Sequence, residues 1–335
     1  MKTFSTAPAP HWQPARSVQQ VMGEVCLALI PLLAVQTWFY GVGVLIQVAL
    51  ATGSFWLVEY LALTLRGRPS AAFLRDLSAP LAGILFALCL PPWAPWYVSV
   101  VAAFFAIGVA KHLFGGLGYN PFNPAMVGYA VVLISFSAAL ARYPASDAAG
   151  LDLLTLCKVI FLGAEPKAGF DALSAATPLD LIDQAKRAGL SYAELKLDAS
   201  YDAQAPFAIA LAALLGGLFI VWRRHAAWQV PVGVVLGVVA FGGPLWLWLP
   251  DQLPSPIEQM FLGSLMLGAF FIATDPVSGA ATPRGRLLFG FGVGALTIAI
   301  RQFGAYPEGV AFAVLLMNTA APLLDRLTQS RVFGR

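Results

Sequence analysis

The sequence predicts an all-α polytopic integral membrane protein: about ten transmembrane helices as two inverted five-helix repeats, with short or broken third and eighth helices. Three observations carry this. Of the 335 residues, 59% are apolar and only 11% charged, less than half the ~25% charge of a soluble domain. So few charges cannot cover a water-soluble globule of this length. The charge is also uneven, because the 65 residues from Arg142 to Pro206 hold 6 basic and 9 acidic side chains and the flanking chain is strongly apolar. Finally, Val127 to Ile134 aligns with Val310 to Met317 at an offset of 183, and Gly83, Phe86 and Pro91 fall on Gly268, Phe271 and Pro276 at 185.

A membrane helix needs ~20 mostly apolar residues. Segments 20–38, 43–65, 78–91, 95–111 and 124–142 form a first group, and 206–222, 229–249, 260–274, 286–303 and 309–324 a second. Ala79 to Pro91 and Met260 to Thr274 are short and end at Pro91-Pro92 and Asp275-Pro276, so neither has to cross as one helix. Five segments per unit is odd, which obliges the second unit to enter from the opposite side. The organisation expected is a cytoplasmic segment 1–19, a first repeat 20–142, a periplasmic loop 143–205, a second repeat 206–324 and a cytoplasmic tail 325–335.

Orientation follows from basic residues in short connections. With the N-terminus inside, the cytoplasmic segments hold Lys2, Arg16, Arg66, Arg68, Arg75, Lys111, Arg223, Arg224, Arg284, Arg286, Arg326, Arg331 and Arg335, and the short outer loops only Arg301. The charged loop then lies outside; a loop of that length translocates regardless of its own charge. Trp38, Trp93, Trp96, Trp222, Trp228, Trp246 and Trp248 cluster at segment ends, as interfacial belts require. No cleavable signal peptide is expected, since His11, Pro14 and Arg16 interrupt the first twenty residues.

A net charge of +3 is too small to suggest nucleic-acid binding, and the apolar content excludes disorder. Cys26, Cys89 and Cys157 form no CxxC pair, and His11, His112 and His225 are scattered without a carboxylate–His cluster, so no metal site and no catalytic residue is expected. Glu24 and Glu59 are charges near segment ends, read either as working ion groups or as side chains snorkelling towards headgroups. Asp275 is read chiefly as a cap for the turn after it. Asn123-Pro124 has the form of an ordinary N-cap followed by proline at the first helical position. Asn123-Pro124-Ala125 resembles the water-channel triplet, but the second half has only Tyr306-Pro307-Glu308-Gly309, which argues against a channel of that kind.

The loop contains Asp171-x-x-Ser174-x-Ala176-Thr177, chemically an accessible hydroxyl among small residues and otherwise an ordinary turn opening a helix at Leu179. This stretch resembles the acceptor motif for covalent flavin attachment, D-x-x-(S/T)-G-A-T, in which a periplasmic flavin transferase joins FMN to the threonine oxygen as a phosphoester. The rest of the chain, from about Trp12 to Arg331, resembles the RnfD family of membrane subunits, which is similar to NqrB. The matching stretches are Gly115 to Tyr129, Leu267 to Val277 with Arg284 to Leu287, and Gly304 to Leu316. Ala175 stands where the motif has glycine, and a turn needing positive φ would be strained there. A competing stretch, Asp275 to Thr282, falls in a cytoplasmic connection, so Thr177 is the expected attachment residue.

The resemblance implies a flavin-bearing subunit, FMN on Thr177, of a bacterial inner-membrane translocase passing electrons between ferredoxin and NAD and moving Na⁺ or H⁺. It implies partners of the Rnf A, B, C, E and G types, the flavin transferase and the lipid bilayer. A related subunit also holds riboflavin without a covalent bond, and no residue of this sequence marks such a site. A self-sufficient transporter and a scaffold for redox subunits are the competing readings, and the repeat suits a transporter equally well.

Overall fold

The computed structural model describes residues 16–145, 151–166, 169–198 and 200–329. Lys2, His11, Arg331 and Arg335 lie outside them. The chain is mostly helical, and a helix stands in every segment that hydropathy picks out. The first group comprises α1 (Val18–Ala28), α2 (Ile30–Tyr40), α3 (Gly43–Leu65), α4 (Ser78–Ala87), α5 (Trp96–Ala103) and α6 (Pro124–Ser135). Pro31 in the first turn of α2 marks the seam with α1. α5 runs on through a wider π-type stretch, Phe104–His112, closed by an i→i+5 bond from Leu113 N to Gly108 O.

The central loop folds into α7 (Leu153–Leu162), α8 (Pro178–Ala188) and α9 (Tyr192–Leu197), with strands β1 (Tyr143–Pro144) and β2 (Ser174–Ala175). The second group comprises α10 (Gln204–Trp222), α11 (Gln229–Trp248), α12 (Pro256–Phe261), α13 (Leu265–Leu267), α14 (Pro283–Phe303) and α15 (Val310–Leu327). α13 continues as a π-type stretch, Gly268–Ile272. Gly263, at φ 64°, makes the break between α12 and α13, a conformation that an L side chain rarely adopts. Among the described residues, six helical segments are long and apolar enough to cross a membrane: Val18–Tyr40, α3, α10, α11, α14 and α15.

The tightest pair is α11 with α14. A methyl on Gly237 would overlap Phe291 O, and one on Gly294 would overlap Val234 O, so the two backbones touch. Small residues that let helices approach closely are how packing is won where lipid supplies no hydrophobic drive. One apolar core then runs through both groups, from Phe55 and Phe86 to Phe271 and Phe289.

The loop divides its anchorage. Leu156 and Val159 pack on Trp93 with Ile46 nearby, whereas Ile182, Ala185, Tyr192 and Leu195 pack on Leu262 of the second group. Two expectations change here. Trp93 is no belt residue, being 4% exposed beneath α7, while Trp38, Trp222 and Trp248 are well exposed. Arg301 is not in a loop but inside α14, buried. Its Nη1 donates to Gln259 O at 2.9 Å and its Nη2 to Leu262 O at 2.9 Å, satisfying carbonyls freed at the α12 break.

Candidate functional site

Thr177 is the N-cap of α8, with extended φ/ψ, and Pro178 follows at the first helical position. Its Oγ1 accepts from Asp180 N at 3.3 Å and donates to Asp180 Oδ2 at 2.6 Å, while Thr177 N donates to the same oxygen at 3.1 Å. This is a capping box. Just upstream, β2 pairs antiparallel with β1, Ala175 opposite Tyr143 and Ser174 opposite Pro144. Ala175 is therefore in extended backbone and exposed. The strain expected from the missing glycine does not arise, because the backbone there is a paired strand and not a left-handed turn. Asp171 lies in the single turn Phe170–Leu173, and its side chain falls outside the described residues.

Thr177 and Asp180 line a cavity of about 400 Å³. Its walls come from α2, α6, α10, the end of α4 and the connection before α15, so both helix groups and the loop contribute to it. Tyr40, Tyr129, Tyr143 and Tyr306 line it too. Tyr40 and Tyr143 meet edge to face at 5.8 Å. The Tyr143 hydroxyl donates to Cys89 O at 3.3 Å, and burial pushes this phenol well above its ordinary pKa, so it stays a neutral donor. Glu308 is a further carboxylate of the wall. It is held by Ser264 N at 2.8 Å and Arg301 Nη2 at 3.1 Å. Its charge is thus compensated from behind, and Arg301 joins the α12 break to the cavity.

A second, smaller cavity of about 130 Å³ lies between the start of α4 and the end of the Gly268–Ile272 stretch. It is lined by Ser78, Lys111, Asn120, Asn123, Asp275 and His225 among others. Asn123 caps α6 as expected, accepting from Met126 N at 3.2 Å. It also spans the two groups: its Nδ2 donates to Ile272 O at 3.2 Å, and its backbone N donates to Asn318 Oδ1 at 3.0 Å. Asp275 is the turn cap that the sequence suggests, accepting from Val277 N at 3.1 Å and Ser278 Oγ at 2.8 Å. Thr282, the competing threonine, N-caps α14 by accepting from Gly285 N at 3.0 Å.

The two acidic residues near segment ends do not snorkel. Glu59 is 3% exposed, with Lys111 Nζ at 2.8 Å and His112 Nε2 at 3.0 Å from its Oε2. Glu24 binds Arg223 bidentately at 2.7 and 2.8 Å and lies 2.6 Å from His225 Nε2. The carboxylate–His pairs that the sequence spacing hid are therefore present, 53 and 201 residues apart, visible only once the helices pack. Among the described residues no group of three or more His, Cys, Asp and Glu converges as a metal site would require.

The tyrosine wall and the Arg301–Glu308 pair escaped the sequence. Tyr40 sits in a cluster that reads as an interfacial belt, and nothing in spacing links residues 40, 129, 143 and 306. Comparison with known proteins agrees with the family resemblance. Residues 5–334 match the model of the NQR2, RnfD, RnfE family. Among its relatives are proteins named as the D component of an ion-translocating oxidoreductase complex. The one from Pseudomonas aeruginosa (strain UCBPP-PA14) is 44% identical over 97% of this chain and 94% of its own. Those from Salmonella paratyphi A (strain ATCC 9150 / SARB42) and Salmonella newport (strain SL254) are each 41% identical over 99% of this chain and 98% of their own. With the match running nearly end to end, this chain belongs to the NQR2, RnfD, RnfE family.

Proposed function

We propose that this chain is the flavin-bearing subunit of an inner-membrane complex that passes electrons between ferredoxin and NAD and couples this to movement of Na⁺ or H⁺. FMN is joined by a phosphoester to Thr177. The observation that carries the reading is that the motif threonine opens onto a tyrosine-walled cavity of about 400 Å³, within the ~300–1,000 Å³ range of small-molecule sites. A flat aromatic group suits such walls. FMN supplies the redox chemistry when bound, and the protein supplies attachment, orientation and electrostatics. Thr177 anchors; Tyr40 and Tyr143 offer faces and edges for stacking; the Glu308–Arg301 pair sets a fixed charge distribution in the wall.

In this reading the chain spans the membrane ten times as two inverted repeats, with both termini cytoplasmic, the 143–205 loop periplasmic and a flavin transferase acting from that side. The partners are the A, B, C, E and G type subunits. The cavity beside Asn123, at about 130 Å³, falls below the size of an ordinary ligand site, so the riboflavin implied by the resemblance is given no residues of this chain.

The test is Thr177→Val with the tryptic peptide 168–186 of the native protein. The native peptide should carry the mass of FMN less water on Thr177. The variant should insert normally and lose ultraviolet-fluorescent flavin from its denatured band; fluorescence that persists there would sink the assignment.

A further inference from the structure

We infer that Asp180 is the proton acceptor for Thr177 during flavin attachment. The inference rests on the reading of Thr177 as the attachment residue and goes beyond it. A threonine hydroxyl is a weak nucleophile at neutral pH, and an adjacent base is the usual means of activating it. Here the hydroxyl donates to Asp180 Oδ2 at 2.6 Å, within reach for proton transfer. That oxygen cannot swing away freely, because Thr177 N holds it at 3.1 Å. The neighbouring Ser191–Glu194 box has the same form, with 2.8 Å between hydroxyl and carboxylate, but it is exposed on α9 and lines neither cavity. Of these two boxes, it is the one at Thr177 that joins a carboxylate-bound hydroxyl to a cavity large enough for a flavin.

Forming a phosphoester requires an activated donor, a flavin nucleotide carrying a pyrophosphate bond. Thr177 Oγ1 attacks the flavin-side phosphorus, the Oγ1–P bond forms, and the bridging P–O bond breaks with its electron pair leaving on the nucleotide phosphate. The hydroxyl proton passes to Asp180 Oδ2. No oxidation or reduction occurs. The acquired proton also removes a like-charge clash, since the new phosphodiester is anionic and a protonated Asp180 can donate to it.

The test follows flavinylation of the full-length protein in detergent, with flavin transferase and flavin adenine dinucleotide, by in-gel fluorescence over time. Asp180→Asn keeps an oxygen to accept from Thr177 N but removes the base, so the limiting rate should fall about a hundredfold with the donor concentration dependence unchanged. Asp180→Glu should restore much of the rate. Glu194→Gln, weakening the neighbouring cap in the same loop, should leave the rate unchanged. Flavinylation of Asp180→Asn at the native rate, or a loss equally large in Glu194→Gln, overturns the inference while leaving Thr177 as the anchor. Flavin on Thr177→Val overturns the anchor itself.

Discussion

The two cavities differ in what their walls are for. The one beside Thr177 is the larger, tyrosine-walled, and keeps its charged groups paired at the wall: Glu308 with Arg301, and Asp180 with the Thr177 cap. The one beside Asn123 is small, and its polar groups are spent on local caps such as Asp275, on the Lys111–Glu59 pair, and on joining the two helix groups through Asn123 to Ile272 and Asn318. One is a room; the other is a seam. Cavity volume and the fate of the polar atoms together set the two apart.

Four outcomes would sharpen or break that contrast. The largest is Arg301→Ala, which frees two carbonyls and leaves Glu308 without its cation. Removing one partner of a buried pair costs about 3–5 kcal/mol, so thermal unfolding should shift strongly and covalent flavin yield should drop. An unchanged yield would detach Arg301 from the Thr177 cavity. Next, Lys111→Met strands Glu59, 3% exposed, with only His112 beside it; we expect about 3 kcal/mol of destabilisation. Adding Glu59→Leu should recover most of it, as a double-mutant cycle by thermal unfolding would read. If the double variant is no better than the single, the pair is not a self-contained charge balance.

Asn123→Ala comes third. It removes a cap and a bond between the groups and should cost about 1–2 kcal/mol while leaving flavin attachment intact; lost attachment would mean the seam and the room are not separate. The smallest effect is pH. The backbone N–H of Ser191, then its hydroxyl, hold the Glu194 carboxyl below its ordinary value. A depressed folded-state pKa contributes stability above the unfolded value that is lost as pH falls through the folded one. Acid should therefore loosen α9 before the membrane-embedded helices, seen as earlier amide exchange in 191–198. Glu194→Gln should flatten that dependence, and an unaltered profile would assign it elsewhere.

Much of this was legible in the residues. Helix positions followed from apolar run length, and the ends before Pro91 and Pro276 from proline, whereas the break at Gly263 inside the 260–274 segment did not. Asn123 and Asp275 cap as their local sequence suggests, because a cap is satisfied within three residues, and the turn expected to open a helix at Leu179 opens it one residue earlier, at Pro178. Local chemistry could not foresee Glu59 with Lys111, Glu24 with Arg223, or Arg301 closing the α12 break, since each partner arrives on a different helix. It also misplaced Trp93, which reads as a belt residue by neighbourhood and is covered by α7 in space.

The sequence by itself determined the membrane class, the helical segments and the charged loop, because composition and periodicity are local, and its resemblance to a known motif pointed to Thr177. Tertiary structure alone decided that Ala175 sits in extended, paired backbone, that distant tyrosines share one cavity with Thr177, and that Glu24 and Glu59 are paired. In an apolar interior each of these depends on which helices pack against which, and near-uniform hydropathy carries almost no information about that choice.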